Sequence, residues 1–167
     1  MTGWLTGKRA RVEGVCPAIE TALTYQGATL MLEGDCDIWV HVAQPPAVKL
    51  AHELSHDEWR ASLAAGLDRC FLGAKDFADQ CRARGQGGAI LYVGAPEQAL
   101  GADHASAAGG LGNLTKTLGV EWARDGIRVN SILTRESGET LGNLAAYLVS
   151  DYAAYVTGAV MGVGIDD

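Results

Sequence analysis

The chain has 167 residues, 48% apolar and 20% charged, which suits one folded domain and excludes a disordered or collagen-like chain. Its 20 acidic residues outnumber the 13 Lys and Arg, and the net charge of -7 argues against a surface built for a nucleic-acid backbone. No apolar run approaches the ~20 residues that span a bilayer, and Met1 to Arg9 lacks the apolar core of a secretory signal.

Taken in order, Arg9 to Val12 is a possible first strand and Ala18 to Tyr25 a short helix. Thr29 to Leu32 and Asp37 to Val42 follow as strands, the second closed by Pro45-Pro46. Ser55 and Glu58 have capping-box spacing and open the strongest helix. Its apolar stripe, Trp59, Leu63, Leu67, Cys70, Phe71, Ala74, Phe77 and Cys81, continues for roughly six turns until Gly85 to Gly88 stops it. Ala89 to Val93 is a strand. A second long helix, Asp103 to Arg124, carries Ala108, Leu111, Leu114, Thr115, Leu118 and Trp122 on its stripe. Ile127 to Leu133 is a strand, Leu141 to Leu148 a helix, and Ala159 to Val163 the last strand. This alternation predicts a doubly wound parallel sheet in one α/β domain, covered on both faces.

Cys16, Cys36, Cys70 and Cys81 are widely spaced, with no C-x-x-C pair, and are expected to be reduced, buried and cytoplasmic. His52-Glu53-Leu54-Ser55-His56 matches the zinc-protease pattern H-E-x-x-H, which needs both imidazoles on one helical face. Ser55 reads as a helix cap, so that spacing does not arise, and no metal site is expected.

Several segments together resemble the short-chain dehydrogenase/reductase family. Asp37-Ile38-Trp39-Val40-His41-Val42-Ala43-Gln44 looks like its D-I-L-V-N-N-A-G strand, and Trp59 to Phe71 like its W-x6-N-L-x3-F helix. Glu121-Trp122-Ala123 and Gly126-Ile127-Arg128-Val129-Asn130-Ser131-Ile132 resemble its E-W-A-x-x-G-I-R-V-N-x-I segment. Ser150-Asp151-Tyr152-Ala153 with Thr157-Gly158 resembles its S-D-x-A and T-G element. The resemblance implies a reduced, Rossmann-like, three-layer α/β/α fold lacking part of the cofactor-binding half.

What departs from the family bears on function. Its glycine-rich phosphate loop aligns with Glu13 to Glu20, where two glycines have become Ala18 and Glu20, and a carboxylate there would repel a pyrophosphate. Full-length relatives run to roughly 250 residues, so about 80 are missing, between the second strand and Asp37 and around Leu133 to Ser137. Neither a dinucleotide nor a substrate is expected to keep a complete pocket. The family's tyrosine and the lysine that lowers its pKa align with His104 and Ala108. Its serine falls at Gly94 or Ala95, and its relay asparagine at Gly66. His104 could replace the tyrosine as acid and base only with a nicotinamide to work on. No catalytic and no cofactor-binding residue is therefore expected in this chain.

In the family the two long helices and the last strand build subunit interfaces. The matching segments here are Asp57 to Arg84, Asp103 to Arg124 and Leu141 to Val163. Trp59, Leu63, Leu67, Phe71, Ala108, Leu111, Leu114, Leu118 and Trp122 are the expected interface residues, and small Ala105, Ala108, Gly109 and Gly112 would admit a close helix. The resemblance implies a non-catalytic subunit, in a heterodimer or heterotetramer, of an NAD(P)-dependent dehydrogenase that oxidises a hydroxyl to a ketone. NAD(P) would sit in the full-length active partner. Active and inactive pairs of this kind resemble the hydroxyacyl-CoA dehydrogenase acting on 2-(hydroxybenzyl)succinyl-CoA in anaerobic toluene breakdown, although no residue here identifies that substrate. The alternatives are a stand-alone scaffold or ligand-sensing homo-oligomer, and an independent oxidoreductase or metallohydrolase.

Overall fold

The strands β1 (Arg9–Glu13), β2 (Thr29–Leu30), β3 (Ile38–Val42), β4 (Gly88–Gly94), β5 (Ile127–Thr134) and β6 (Val160–Val163) form one parallel sheet. Their order is β2-β1-β3-β4-β5-β6, so the chain reverses its winding between β1 and β3. The computed structural model describes residues 3–44 and 47–164, and Pro45 and Pro46 lie outside the described residues. The helices are α1 (Pro17–Tyr25), α2 (His56–Leu63), α3 (Arg69–Arg84), α4 (Ala102–Glu121) and α5 (Glu139–Val149). The Rossmann-like α/β fold expected from the alternation is therefore present. No helix among the described residues is long and apolar enough to cross a membrane.

Successive strand residues point to opposite faces, so each strand feeds two cores. Val40, Val42, Leu91, Val93 and Ile132 meet Ile19 and Leu23 of α1 and Leu141, Ala145 and Leu148 of α5. Trp39, Ile90, Tyr92 and Val129 meet Phe77 and Cys81 of α3 and Leu118 and Trp122 at the end of α4. The four cysteines are free and buried. Burial pushes the Cys70 thiol up to about 12, so it packs as a neutral group.

Ser55 caps α2 as its spacing requires. Its hydroxyl accepts from the Glu58 amide at 3.2 Å, and its own amide donates to the Glu58 carboxylate at 2.8 Å. A hydrogen bond from Lys49, then those from Ser55, hold the Glu58 carboxyl at about 2. Leu54 and Ser55 are extended, so His52 and His56 are not one helical turn apart, and the H-E-x-x-H spacing does not become a metal-binding face.

The long stripe does not stay on one face. A wider π turn, Ala64–Asp68, separates α2 from α3 and breaks the 3.6-residue repeat. Beyond it Cys70, Ala74, Phe77 and Cys81 are buried, whereas Trp59, Leu63 and Leu67 are half-buried and Phe71 is 42% exposed. Two of the expected interface residues need correction. Leu118 and Trp122 are 3% and 4% exposed because this end of α4 lies on the chain's own sheet, and Trp122 also lies under the Arg82 guanidinium. They are core residues. Leu111 and Leu114 pack part-way against the same core.

Boundaries shift elsewhere. β2 stops at Leu30, leaving Leu32 96% exposed, because no further strand pairs with its outer edge among the described residues. α4 gives way after Glu121 to a tight turn at Ala123–Asp125.

Candidate functional site

The winding reversal leaves a crevice at the carboxyl ends of the strands, where parallel α/β sheets bind ligands. Here it is a cleft of about 450 Å³ between the β1–α1 turn, the ends of β3, β4 and β5, and one face of α4. No complete dinucleotide or substrate pocket is expected from the sequence, yet the shortened loops leave this cleft in place.

Gly66, Gly94, Ala95, His104 and Ala108 all line it. These are the positions that the family resemblance assigns to asparagine, serine, tyrosine and lysine. They come from the π turn, β4 and α4, so the fold brings together what the sequence separates. Four of the five end at Cα or Cβ. At these positions the wall offers neither a carbonyl-polarising hydroxyl nor an ammonium group to lower a phenol's pKa.

His104 is the exception. Its Nδ1 lies 3.0 Å from Oδ2 of Asp103, and the Ser62 hydroxyl donates to the same oxygen at 2.5 Å. Asp103 is 4% exposed. Burial opposes its ionisation, but the hydrogen bonds from Ser62 and His104 outweigh it and hold the carboxyl below its ordinary value. A carboxylate therefore fixes the imidazole at the cleft wall. Sequence reasoning found His104 but missed Ser62 and Asp103. They stand 41 residues apart, and neither belongs to a local pattern.

Tyr92 also reaches the cleft, from β4. Its hydroxyl donates to the Cys70 carbonyl at 3.2 Å, and burial pushes its pKa upward, so it is a tied, neutral phenol. Its sheet neighbours are His41 on β3 and Ser131 on β5. Burial lowers the His41 pKa, Glu13 at 3.8 Å opposes this, and Arg69 adds to it. Ser131 is 3% exposed, and its Oγ has no hydrogen-bond partner among the described residues.

The β1–α1 turn does not fit a dinucleotide pyrophosphate. Gly14 has φ 99°, and a Cβ there would stand 2.1 Å from the Val42 carbonyl oxygen, so this glycine serves the approach to β3. Pro17 opens α1 without an amide hydrogen, and the Ile19 and Glu20 amides already donate to the Cys16 carbonyl. Glu20 also puts an acidic residue in this first turn. A helix start of this kind attracts anions poorly.

No family model matches the chain. It is 29% identical to 3beta-hydroxysteroid dehydrogenase 1 of Eggerthella lenta over 167 aligned residues, covering 80% of this chain and 64% of that protein. It is 26% identical to glucose 1-dehydrogenase 2 of Bacillus subtilis, covering 91% of this chain and 69% of that one. The chain thus spans less than two thirds of the length of the hydroxysteroid dehydrogenase. A short-chain dehydrogenase/reductase of Burkholderia xenovorans superposes with a TM-score of 0.86 at 21% identity, over 97% of this chain and 96% of that one. A 2-deoxy-d-gluconate 3-dehydrogenase of Agrobacterium tumefaciens with bound NADP gives 0.85 at 22%, over 96% of each chain. These homologues and structural neighbours are short-chain dehydrogenases/reductases, and the fold is theirs.

Proposed function

We propose that this relative of the short-chain dehydrogenases/reductases is a non-catalytic subunit that docks on a full-length, active member of the same family. One observation carries the reading. The positions that the resemblance assigns to the reaction line a single cleft, yet they hold Gly66, Gly94, Ala95, His104 and Ala108. Hydride transfer to a nicotinamide also needs a dinucleotide held nearby, and the Pro17–Glu20 helix start suits a pyrophosphate poorly. The curated relatives are named as dehydrogenases, but the part of their length that this chain lacks is the reason their activity is not carried over to it.

The docking face lies on α2, α3 and α4. Phe71 and Leu72 are 42% and 55% exposed, Val120 is 79% exposed, and Trp59, Leu63 and Leu67 are half-buried beside them in sequence. The C-terminal segment adds Tyr152 and Tyr155, 71% and 102% exposed. Large apolar side chains at this density suit an obligate contact of ~2,000 Å² or more. The partner would carry NAD(P) and the Ser-Tyr-Lys set, and this chain would fix its assembly.

Titration of the purified chain with NADH and NADPH, followed by nucleotide fluorescence, tests the first half of this reading. The expected result is no saturation up to millimolar nucleotide. Micromolar binding by this chain alone would overturn it.

A further inference from the structure

We infer that the free edge of β2 is a self-pairing surface, on which two copies of this chain join their sheets antiparallel about a two-fold axis. This contact is separate from the docking face on α2, α3 and α4 and does not depend on it.

The backbone supplies the first reason. The Thr29 and Met31 amides donate to the Lys8 and Ala10 carbonyls at 2.9 and 2.8 Å. Alternate residues of a parallel ladder bond to alternate sides, so the Leu30 amide and carbonyl point away from β1. No strand lies on that side among the described residues, and the connection 31–37 to β3 holds no helix or strand to cover it. Thr29-Leu30-Met31-Leu32 carries neither a charge nor a proline, the usual means of blocking an edge.

The charges choose a second copy as the occupant. Lys8 stands beside the start of the edge, since its neighbour Arg9 is level with Thr29, and the exposed Glu33 follows the end. Asp37 already holds Arg9 at 3.1 Å, whereas Lys8 meets only the exposed Asp151, at 3.4 Å. An antiparallel copy brings the acidic end of each edge to the basic end of the other.

The register follows. With Leu30 opposite Leu30 of the other copy, the two residues exchange both backbone hydrogen bonds across the axis. Leu32, 96% exposed, then stands opposite Ala28 of the other copy, close in sequence to Tyr25, which is 84% exposed at the end of α1. Glu33 falls opposite Gly27, beside Lys8. Each copy thus covers the other's most exposed apolar side chains at this edge.

Sedimentation equilibrium of the full chain, from micromolar to submillimolar concentration, tests the pairing. A monomer–dimer equilibrium is expected, weak because the contact is smaller than a standard interface. Leu30→Pro removes the outward amide and spares the β1 ladder, and should weaken the dimer at least tenfold. Glu33→Lys, at an exposed loop position, sets like charges together and should do the same. Phe71→Asp, on the docking face, should leave the dimer unchanged. Leu30→Cys tests the register, because residues opposed in a hydrogen-bonded pair lie ~5.5 Å apart, within disulfide reach. The four native cysteines are buried, so diamide should link Leu30→Cys copies but not Leu32→Cys copies, which stand on the order of 13 Å apart. A monomer at every concentration, a dimer that Leu30→Pro and Glu33→Lys leave intact, loss of the dimer in Phe71→Asp, or linkage of Leu32→Cys in place of Leu30→Cys would each overturn the inference. If Leu30→Pro instead releases a full-length relative and leaves self-association intact, the edge belongs to that relative and the inference fails. The dimer itself is read on this chain alone, so its absence would leave the proposed docking on a relative untouched.

Discussion

Asn130 Oδ1 accepts the Ala159 amide hydrogen at 3.1 Å, while its Nδ2 donates to the Val156 carbonyl at 2.9 Å. One side chain thus ties β5 to the turn that leads into β6. Thr157 works beside it, its hydroxyl accepting from the Val129 amide at 3.1 Å and donating to the Gly119 carbonyl at 3.2 Å. Arg128 donates to the Leu148 and Ser150 carbonyls at 2.6 and 3.0 Å. The R-V-N and T-G segments that made the chain recognisable are therefore braces of the scaffold. Such braces can persist whether or not a reaction takes place in the cleft.

Asn130 is 2% exposed, and Asn130→Ala leaves the half-buried Ala159 amide without this acceptor and the Val156 carbonyl with only the Arg128 guanidinium at 3.4 Å. Each such loss costs about 1–3 kcal/mol. Urea denaturation should show a destabilisation of roughly 1–3 kcal/mol. A loss below about 0.5 kcal/mol would remove Asn130 from this role.

Two glycines of α4 should respond in opposite directions. A Cβ at Gly119 would stand 2.5 Å from the Gly158 nitrogen, whereas one at Gly112 has nothing within 4 Å. Gly119→Ala should cost about 1–3 kcal/mol through backbone displacement. Gly112→Ala should gain about 0.5–1 kcal/mol from helix propensity. Thermal melts of the two variants compare them directly, and equal shifts would contradict the packing described.

Asp37 makes stability depend on acid. Burial acts to raise its pKa, but hydrogen bonds from the Arg9 side chain and amide, with the charges of Arg9 and Arg84, outweigh it and hold the carboxyl below its ordinary value. A carboxyl lowered on folding stabilises the fold above its unfolded pKa, and that contribution is lost as pH falls through the lowered value. Denaturation midpoints should therefore drop below about pH 4, and Asp37→Asn should flatten that part of the profile. An unchanged acid limb in the variant would exclude Asp37 as the source.

Much of the fold could be read from residue order. Strands as apolar as Ile90 to Val93 and a cap as explicit as Ser55 with Glu58 are local signals, and each formed where expected. The convergence of Gly66, Gly94, His104 and Ala108 was legible only through the family resemblance, since no spacing rule links a π turn, a strand end and a helix start. Ser62 with Asp103 stayed hidden for the same reason. Leu118 and Trp122 were misassigned because a stripe shows which helix face is apolar, not whether the sheet or another subunit covers it. Ser131 read as an ordinary strand residue, because an unpaired hydroxyl becomes visible only once its surroundings are known.

Phe71 and Leu72 distinguish docking from folding. Both are substantially exposed, so Phe71→Asp and Leu72→Asp should leave the melting temperature of the isolated chain within the small range of surface changes. They should weaken assembly with a partner at least tenfold in a pull-down titration. Unfolding of either variant in isolation would mean that these side chains support the chain's own core.

The most direct measurement is co-expression of this chain with a full-length short-chain dehydrogenase from the same genome, followed by native mass spectrometry and an NAD(P) reduction assay of the product. A heteromer containing both chains is predicted, with turnover that survives His104→Phe in this chain and is lost when the partner's tyrosine is replaced. A homo-oligomer of this chain that ignores the relative and reduces NAD(P) on its own would contradict the account.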